Sequence, residues 1–236
     1  MKTVLFDLDD TLFDHRHSSR VALAALRQTN LSLQSKPLLE IEEGYHTLLE
    51  QLHKKVLLGE ITGKEALHER FLRLFRLHGE KLSKSKVEEI ALTYRETYKV
   101  ARRPVRGALQ LLERLKKEVK IGIVSNNILE EQLLKLHYLR MDRFVDELVV
   151  SEEVGAAKPD PKIFEIALRR LGGDPDRSVM VGDSYETDIR GAQAAGIKTV
   201  WLNRRCLANP DGDSVMEIGA FEPLEEVAEK ILSTVS

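Results

Sequence analysis

The chain lacks most features that would point to a specialised environment. It has one cysteine, Cys206, so no disulfide can close within it and a bridge-stapled scaffold is excluded. A single thiol fits a reducing compartment. Neither charge dominates: 36 Lys and Arg stand against 38 Asp and Glu, a formal net charge of −2. That balance leaves no broad basic footprint for nucleic acid, although a local basic pocket is compatible with it. No window approaches the ~18 consecutive apolar residues of a membrane helix. The first residues run directly into a strand pattern, without a charged and then apolar leader. A cytoplasmic protein is expected, with neither nucleic acid nor membrane as partner. Internal repeats and low-complexity tracts are also missing.

What is present is a change of pattern along 236 residues, of which 42% are hydrophobic and 31% charged. That length suits one large domain or one and a half. Residues 3–8 read as a short, fully buried strand. From about Asp14 to Lys99 the spacing is helical throughout. Val21, Ala24, Ala25 and Leu31 form a first stripe. Leu38, Ile41, Tyr45, Leu48, Leu49 and Leu52 form a clearer one. Leu67, Phe71, Leu74, Phe75 and Leu77 form a third, and Val87, Ile90, Ala91, Tyr94 and Tyr98 a fourth. Breaks are expected at 59–63 and 79–84.

After Arg103-Pro104 strands and helices alternate. Lys120 to Ser125 and Ser178 to Asp183 read as buried strands, 197–202 as another, and 146–151 as a short one. Helices are expected over 129–138, after Asp160-Pro161 (an N-cap followed by proline at the first helical position), after Asp183, and from Phe221 onward. This alternation indicates an α/β fold: a Rossmann-like parallel sheet flanked by helices, with an inserted all-helical domain. The expected division is 1–14 with 104–236 for the α/β core and 15–103 for the insert.

Polar groups stand where these strands end: Asp7 and Asp9, Ser125, and Asp183, with Lys158 before a helix. Strand ends of a parallel sheet share one edge, where ligands bind. Burying carboxylates without partners is costly, so a metal ion and a reaction are the economical explanation for Asp7 and Asp9.

The ordered set Asp7-Leu8-Asp9-Asp10-Thr11, Val124-Ser125-Asn126, Lys158-Pro159 and Gly182-Asp183-Ser184 with Asp188 resembles the four motifs of the haloacid dehalogenase superfamily. Ser151-Glu152-Glu153-Val154-Gly155 and Thr199-Val200-Trp201-Leu202-Asn203 are similar to its helical-cap phosphatase branch, including nucleotidase-type members. The resemblance covers the α/β core; of the insert, only the helical character matches.

The resemblance implies a Mg²⁺-dependent phosphatase acting on a small phosphorylated metabolite, possibly a nucleoside monophosphate. It implies Asp7 as the nucleophile that forms an aspartyl phosphate, and Asp9 as acid for the leaving alcohol and then base for water. The Mg²⁺ ligands would be the side chains of Asp7 and Asp183 and the backbone carbonyl of Asp9. Lys158 would hold phosphoryl oxygens as a point charge, with hydrogen bonds from Ser125 and the backbone N–H of Asn126. Asp188 would orient Lys158 or a metal-bound water, and Thr11 would support the loop after the first strand. The helical cap would open and close to exclude water.

Other readings stay open at this point. Taken singly, Asp9, Asp183 and Asp188 could be turn or cap residues, Ser125 a strand-end cap and Lys158 a solvated lysine. A phosphomutase would use the same residues. A haloacid dehalogenase would attack carbon and need neither Asp9 as acid nor Asp183 as ligand. A receiver-type switch or a non-catalytic binding module would carry acidic strand ends without turnover. His15, Arg16, His17, Arg20, Arg102 and Arg103 are either substrate-facing or a solvated face.

Overall fold

Strand β1 (Thr3–Phe6) is buried along its whole length in the computed structural model, which describes residues 2–235. It stops two residues short of its expected end at Leu8. The amide of Asp7 still donates to the Val181 carbonyl at 3.0 Å. Beyond it the chain turns back on itself, because the amides of Leu12 and Phe13 both donate to the Leu8 carbonyl, at 2.9 and 2.8 Å.

The chain divides into two compact units, His15–Arg103 on one hand and Met1–Asp14 with Pro104–Ser236 on the other. The first is wholly helical: α1 (His15–Thr29), α2 (Leu31–Gln34), α3 (Leu38–Leu57), α4 (Gly63–Leu77) and α5 (Lys84–Val100). Both glycine-bearing stretches fall between helices. The first starts α4 with a capping box, Thr62 accepting from the Glu65 amide while Glu65 accepts from the Thr62 amide. Ile41, Tyr45 and Leu48 of α3, Phe71, Leu74 and Phe75 of α4, and Val87, Ile90, Ala91 and Tyr94 of α5 share one core with Ala22, Leu23 and Leu26 of α1.

On α1 the buried stripe differs from the expected one. Val21 and Leu31 are exposed, and the buried residues are Ser18, Ser19, Ala22, Leu23 and Leu26. The reason is chemical: small hydroxyls mark that face. Ser18 donates to the Ala101 carbonyl at 3.2 Å, and the Tyr94 hydroxyl donates to Ser19 at 3.1 Å. A stripe of apolar letters cannot register serines that are buried with partners.

The second unit continues with α6 (Ala108–Leu115), β2 (Lys120–Ser125), α7 (Leu129–Tyr138), β3 (Glu147–Val150), α8 (Ser151–Val154), α9 (Pro161–Leu171) and β4 (Ser178–Gly182). A π-helical turn (Tyr185–Arg190), α10 (Gly191–Ala194), β5 (Lys198–Leu202), β6 (Met216–Ile218) and α11 (Leu224–Thr234) complete it. The six strands are all parallel, in the order β3-β2-β1-β4-β5-β6. The chain builds outward from β1 on one side, then returns to place β4 on the other. The crevice between β1 and β4 is therefore the switch point where such sheets bind ligands.

Three elements depart from the sequence expectation. The single helix expected after Asp183 is a π-helical turn followed by one α-turn. β6 carries no strand signal of its own; its three residues are ordered by pairing to β5. The last helix begins at Leu224, while Phe221 is fully buried ahead of it. No helix among the described residues is long and apolar enough to cross a membrane.

Side chains of β1 and α9 close over β2 at Gly122. A Cβ there would lie 2.6 Å from Leu171 Cδ1 and 2.8 Å from Leu5 Cδ2. Gly122→Ala should therefore lower unfolding stability by roughly 1–3 kcal/mol through overpacking. In urea the midpoint should fall with the slope unchanged.

Candidate active site

The site is built from the ends of β1, β2 and β4 and the loops that follow them. After β1 the backbone enters the left-handed region at Asp10, φ 66°. Asp7 and Asp9 take separate surroundings, although two residues apart. Asp7 is buried, and its Oδ1 accepts from Lys158 Nζ at 2.7 Å. Asp9 is part exposed and accepts from Lys135 Nζ at 2.6 Å, Gln132 Nε2 at 3.0 Å and Asn127 Nδ2 at 3.3 Å.

Lys158 is the centre of the arrangement. Its side chain is 3% exposed, and Nζ reaches Asp188 Oδ1 at 2.7 Å as well as Asp7. Its backbone is gripped by the Asn126 side chain. Asn126 Oδ1 accepts from the Lys158 amide and Nδ2 donates to the Lys158 carbonyl, both at 2.7 Å. Asp188 is 1% exposed, and its second oxygen accepts from the Ser184 amide at 3.0 Å. Gly182 leaves room for this carboxyl, because a Cβ there would collide with it. The π-helical turn delivers Asp188 into the sheet edge; such irregular turns recur at functional sites.

Asp183 follows β4. Its amide donates to Thr11 Oγ1 at 3.1 Å, Thr11 donates to its Oδ1 at 3.4 Å, and Trp201 Nε1 donates to its carbonyl at 2.9 Å. Ser125, at the end of β2, is buried and accepts from Gln132 Nε2. The fold thus brings Asp7, Lys158, Asp183 and Asp188 into one cluster with Thr11 and Asn126 behind it. Gln132 links Ser125 to Asp9. Three residues of this set escape a sequence reading: Asn127, Gln132 and Lys135. Gln132 and Lys135 lie three apart on α7, and so on one helical face, but nothing in the sequence shows that this face is buried.

Charge defines what the cluster lacks. Asp7, Asp183 and Asp188 each offer a carboxylate oxygen, and these atoms all lie within 4.8 Å of one another. Burial pushes the Asp7 carboxyl up; Lys158 opposes this, Asp188 and Asp9 add to it, and the result is a pKa of about 7. Asp183 is likewise held well above the usual carboxylate range by burial and by Asp7, Asp188 and Asp10. Burial alone would lower Lys158, but the charges of Asp188 and Asp7 outweigh it and hold the ammonium above its ordinary range. One cation faces three acids, and Asp7 Oδ2 is buried without a hydrogen-bond partner. An all-oxygen, carboxylate-rich site with an unsatisfied anionic oxygen fits Mg²⁺. Asp188 has both oxygens engaged by Lys158 and Ser184, which leaves Asp7 and Asp183 as the natural side-chain ligands.

Comparison with known proteins agrees with this geometry. The family model for haloacid dehalogenase-like hydrolases matches residues 1–196. Glyceraldehyde 3-phosphate phosphatase of Methanothermobacter thermautotrophicus is 35% identical over 223 residues, covering 93% of this chain and 92% of the relative. The pyrimidine 5'-nucleotidase YjjG of Escherichia coli is 44% identical over 111 residues, 46% of this chain and 49% of the relative. Among solved structures, the magnesium-bound HAD-hydrolase YfnB of Bacillus subtilis superposes with a TM-score of 0.77 at 26% identity, over 97% of this chain and 98% of that one.

Added Mg²⁺ should stabilise the protein against heat, by about 2.7 kcal/mol at a hundred times its Kd. Asp183→Asn removes a like charge from a crowded site. It should raise the melting temperature without metal and abolish the Mg²⁺ increment, both readable by calorimetry. An increment that persists in this variant would place the ion elsewhere.

Proposed function

Because the chain belongs to the haloacid dehalogenase-like hydrolase family, we propose that it hydrolyses phosphate monoesters of small metabolites through a phosphorylated Asp7. The observation that carries this reading is the pairing of Asp7 with a buried Lys158 at 2.7 Å, while its other oxygen has no protein partner. A phosphate dianion repels an anionic nucleophile, so phosphoryl transfer depends on positioning and on positive charge. The Lys158 ammonium supplies such charge beside the attacking carboxylate.

In the first half-reaction an oxygen of Asp7 bonds to phosphorus and the ester P–O bond breaks. The Asp9 carboxyl passes its proton to the departing alkoxide. In the second, water bonds to phosphorus, the bond from Asp7 to phosphorus breaks, and Asp9 takes up the water proton. Phosphate and alcohol are the products, and every group is restored. Lys158, the Ser125 hydroxyl and the Asn126 amide hold the phosphoryl oxygens. Mg²⁺, held by Asp7 and Asp183 with the Asp9 carbonyl, would offset the charge between nucleophile and phosphate. Asp188 keeps Lys158 aligned, and Thr11 keeps Asp183 in place.

The relatives named as glyceraldehyde 3-phosphate phosphatase and pyrimidine 5'-nucleotidase support a phosphorylated small carbohydrate or nucleotide as substrate. The exposed thiol of Cys206 suits the reducing cytoplasm. Dehalogenation at carbon would leave the hydrogen-bonded placement of Asp183 and Asp9 without a task.

The test is release of inorganic phosphate from p-nitrophenyl phosphate and from a panel of metabolite esters. Chelation should abolish turnover and Mg²⁺ restore it. Asp7→Asn should lower kcat at least about a thousandfold, as loss of a nucleophile does. Turnover that survives both changes would refute the mechanism.

A further inference from the structure

α7 carries two buried polar side chains that the reaction as set out above does not use. Gln132 is fully buried and Lys135 is 3% exposed. A lysine is rarely buried unless paired. Its partner is the carboxylate assigned as acid and base: Nζ lies 2.6 Å from Asp9 Oδ1 and 5.1 Å from the centroid of the Phe13 ring. The other oxygen of Asp9 is held from the same helix. Gln132 Nε2 reaches Asp9 Oδ2 at 3.0 Å and also reaches Ser125 Oγ.

That amide nitrogen has two hydrogens, one for each contact. Its orientation is fixed by charge, because the flipped amide would set its oxygen against the Asp9 carboxylate. A hydroxyl that accepts from Gln132 still has its own proton to give. For Ser125 that proton is left for a third group, and the phosphoryl oxygen is the acceptor its assigned role provides. The Asp9 carboxyl, meanwhile, is gripped at both oxygens and cannot rotate without breaking a bond to Lys135 or Gln132.

We infer that Gln132 and Lys135 are positioning residues that lock the Asp9 carboxyl and the Ser125 hydroxyl into one unit, fixing where the leaving oxygen receives its proton. The inference rests on the phosphatase reading of the same site. It assigns to α7 a part in proton transfer, through side chains that touch neither phosphorus nor metal. The pair sits three residues apart on a helix that starts just after β2. One helical face therefore serves the end of β2 and the loop after β1 together.

The leaving group separates positioning from mere packing. p-Nitrophenolate departs readily without a proton, whereas the alkoxide of glycerol phosphate needs one. In Lys135→Met, kcat for glycerol phosphate should fall about a hundredfold, in keeping with the usual worth of a general acid, while KM stays nearly constant. The stopped-flow burst of p-nitrophenolate from p-nitrophenyl phosphate should slow roughly tenfold less, since little proton transfer is lost there. Lys135→Arg should recover most of the loss, and Gln132→Met should show the same split between esters.

Equal losses on both esters, a loss confined to KM, or no loss would overturn the inference. So would a failure of both Lys135→Met and Gln132→Met to fold, which would make the pair structural. A wild-type enzyme inactive on both esters would instead defeat the phosphatase reading. A wild type active on both and silenced by Asp7→Asn, with equal losses in the α7 variants, would defeat only the present inference.

Discussion

A buried ammonium between two buried carboxylates governs the rest of this active site. Taking Lys158, Asp7 and Asp188 out of water costs several kcal/mol per ion, and their mutual attraction repays it only if the geometry is held. Much of the surrounding sequence is spent on holding it. Asn126 grips the Lys158 backbone from both sides. Gly182 omits the Cβ that would displace Asp188. Gly191 lets α10 approach so closely that a Cβ would lie 2.8 Å from Pro159 Cα, directly after the lysine. None of these residues need touch a substrate, yet each sets where the cation stands.

The same cluster is short of positive charge, and the shortage has a purpose. Asp183 is held through its backbone by Thr11 on one side and Trp201 on the other, and Thr11 also donates to its carboxyl. A site that forces acids together while leaving Asp7 Oδ2 unsatisfied stores an affinity for a hard cation. Burial among like charges raises the Asp7 pKa to about 7; a bound dication would favour its carboxylate form.

Asp7 and Asp9 illustrate how one short loop separates two carboxylates by environment. Asp7 meets Lys158, and Asp9 meets the side-chain amides and the ammonium of the β2–α7 segment. One acid is buried among like charges, the other is part exposed and hydrogen-bonded. The helical unit is stabilised separately. Its core of aromatic and aliphatic residues includes Tyr45, Phe71 and Tyr94, whose ring centroids lie 5.1–5.9 Å apart, and Arg70 donates to the Tyr45 hydroxyl at 2.7 Å.

The amino-acid sequence by itself determined the parallel α/β plan, the helical stretch after β1 and the chemistry of the strand ends. Those features are local: apolar runs of strand length, helical spacing over long stretches, and carboxylates where a strand should stop. Tertiary structure alone decided which buried polar groups met. Gln132 and Lys135 read as ordinary helix residues until α7 packs beside the loop after β1. Ser18 and Ser19 read as surface until α5 covers them. β6 is a strand only because β5 offers it an edge. Burial of a polar group is favourable only with its partner in place, and these partners lie up to 126 residues away. A short-range pattern carries no information about that distance, which is why carboxylates at a strand end could be singled out and the support beneath Asp9 could not.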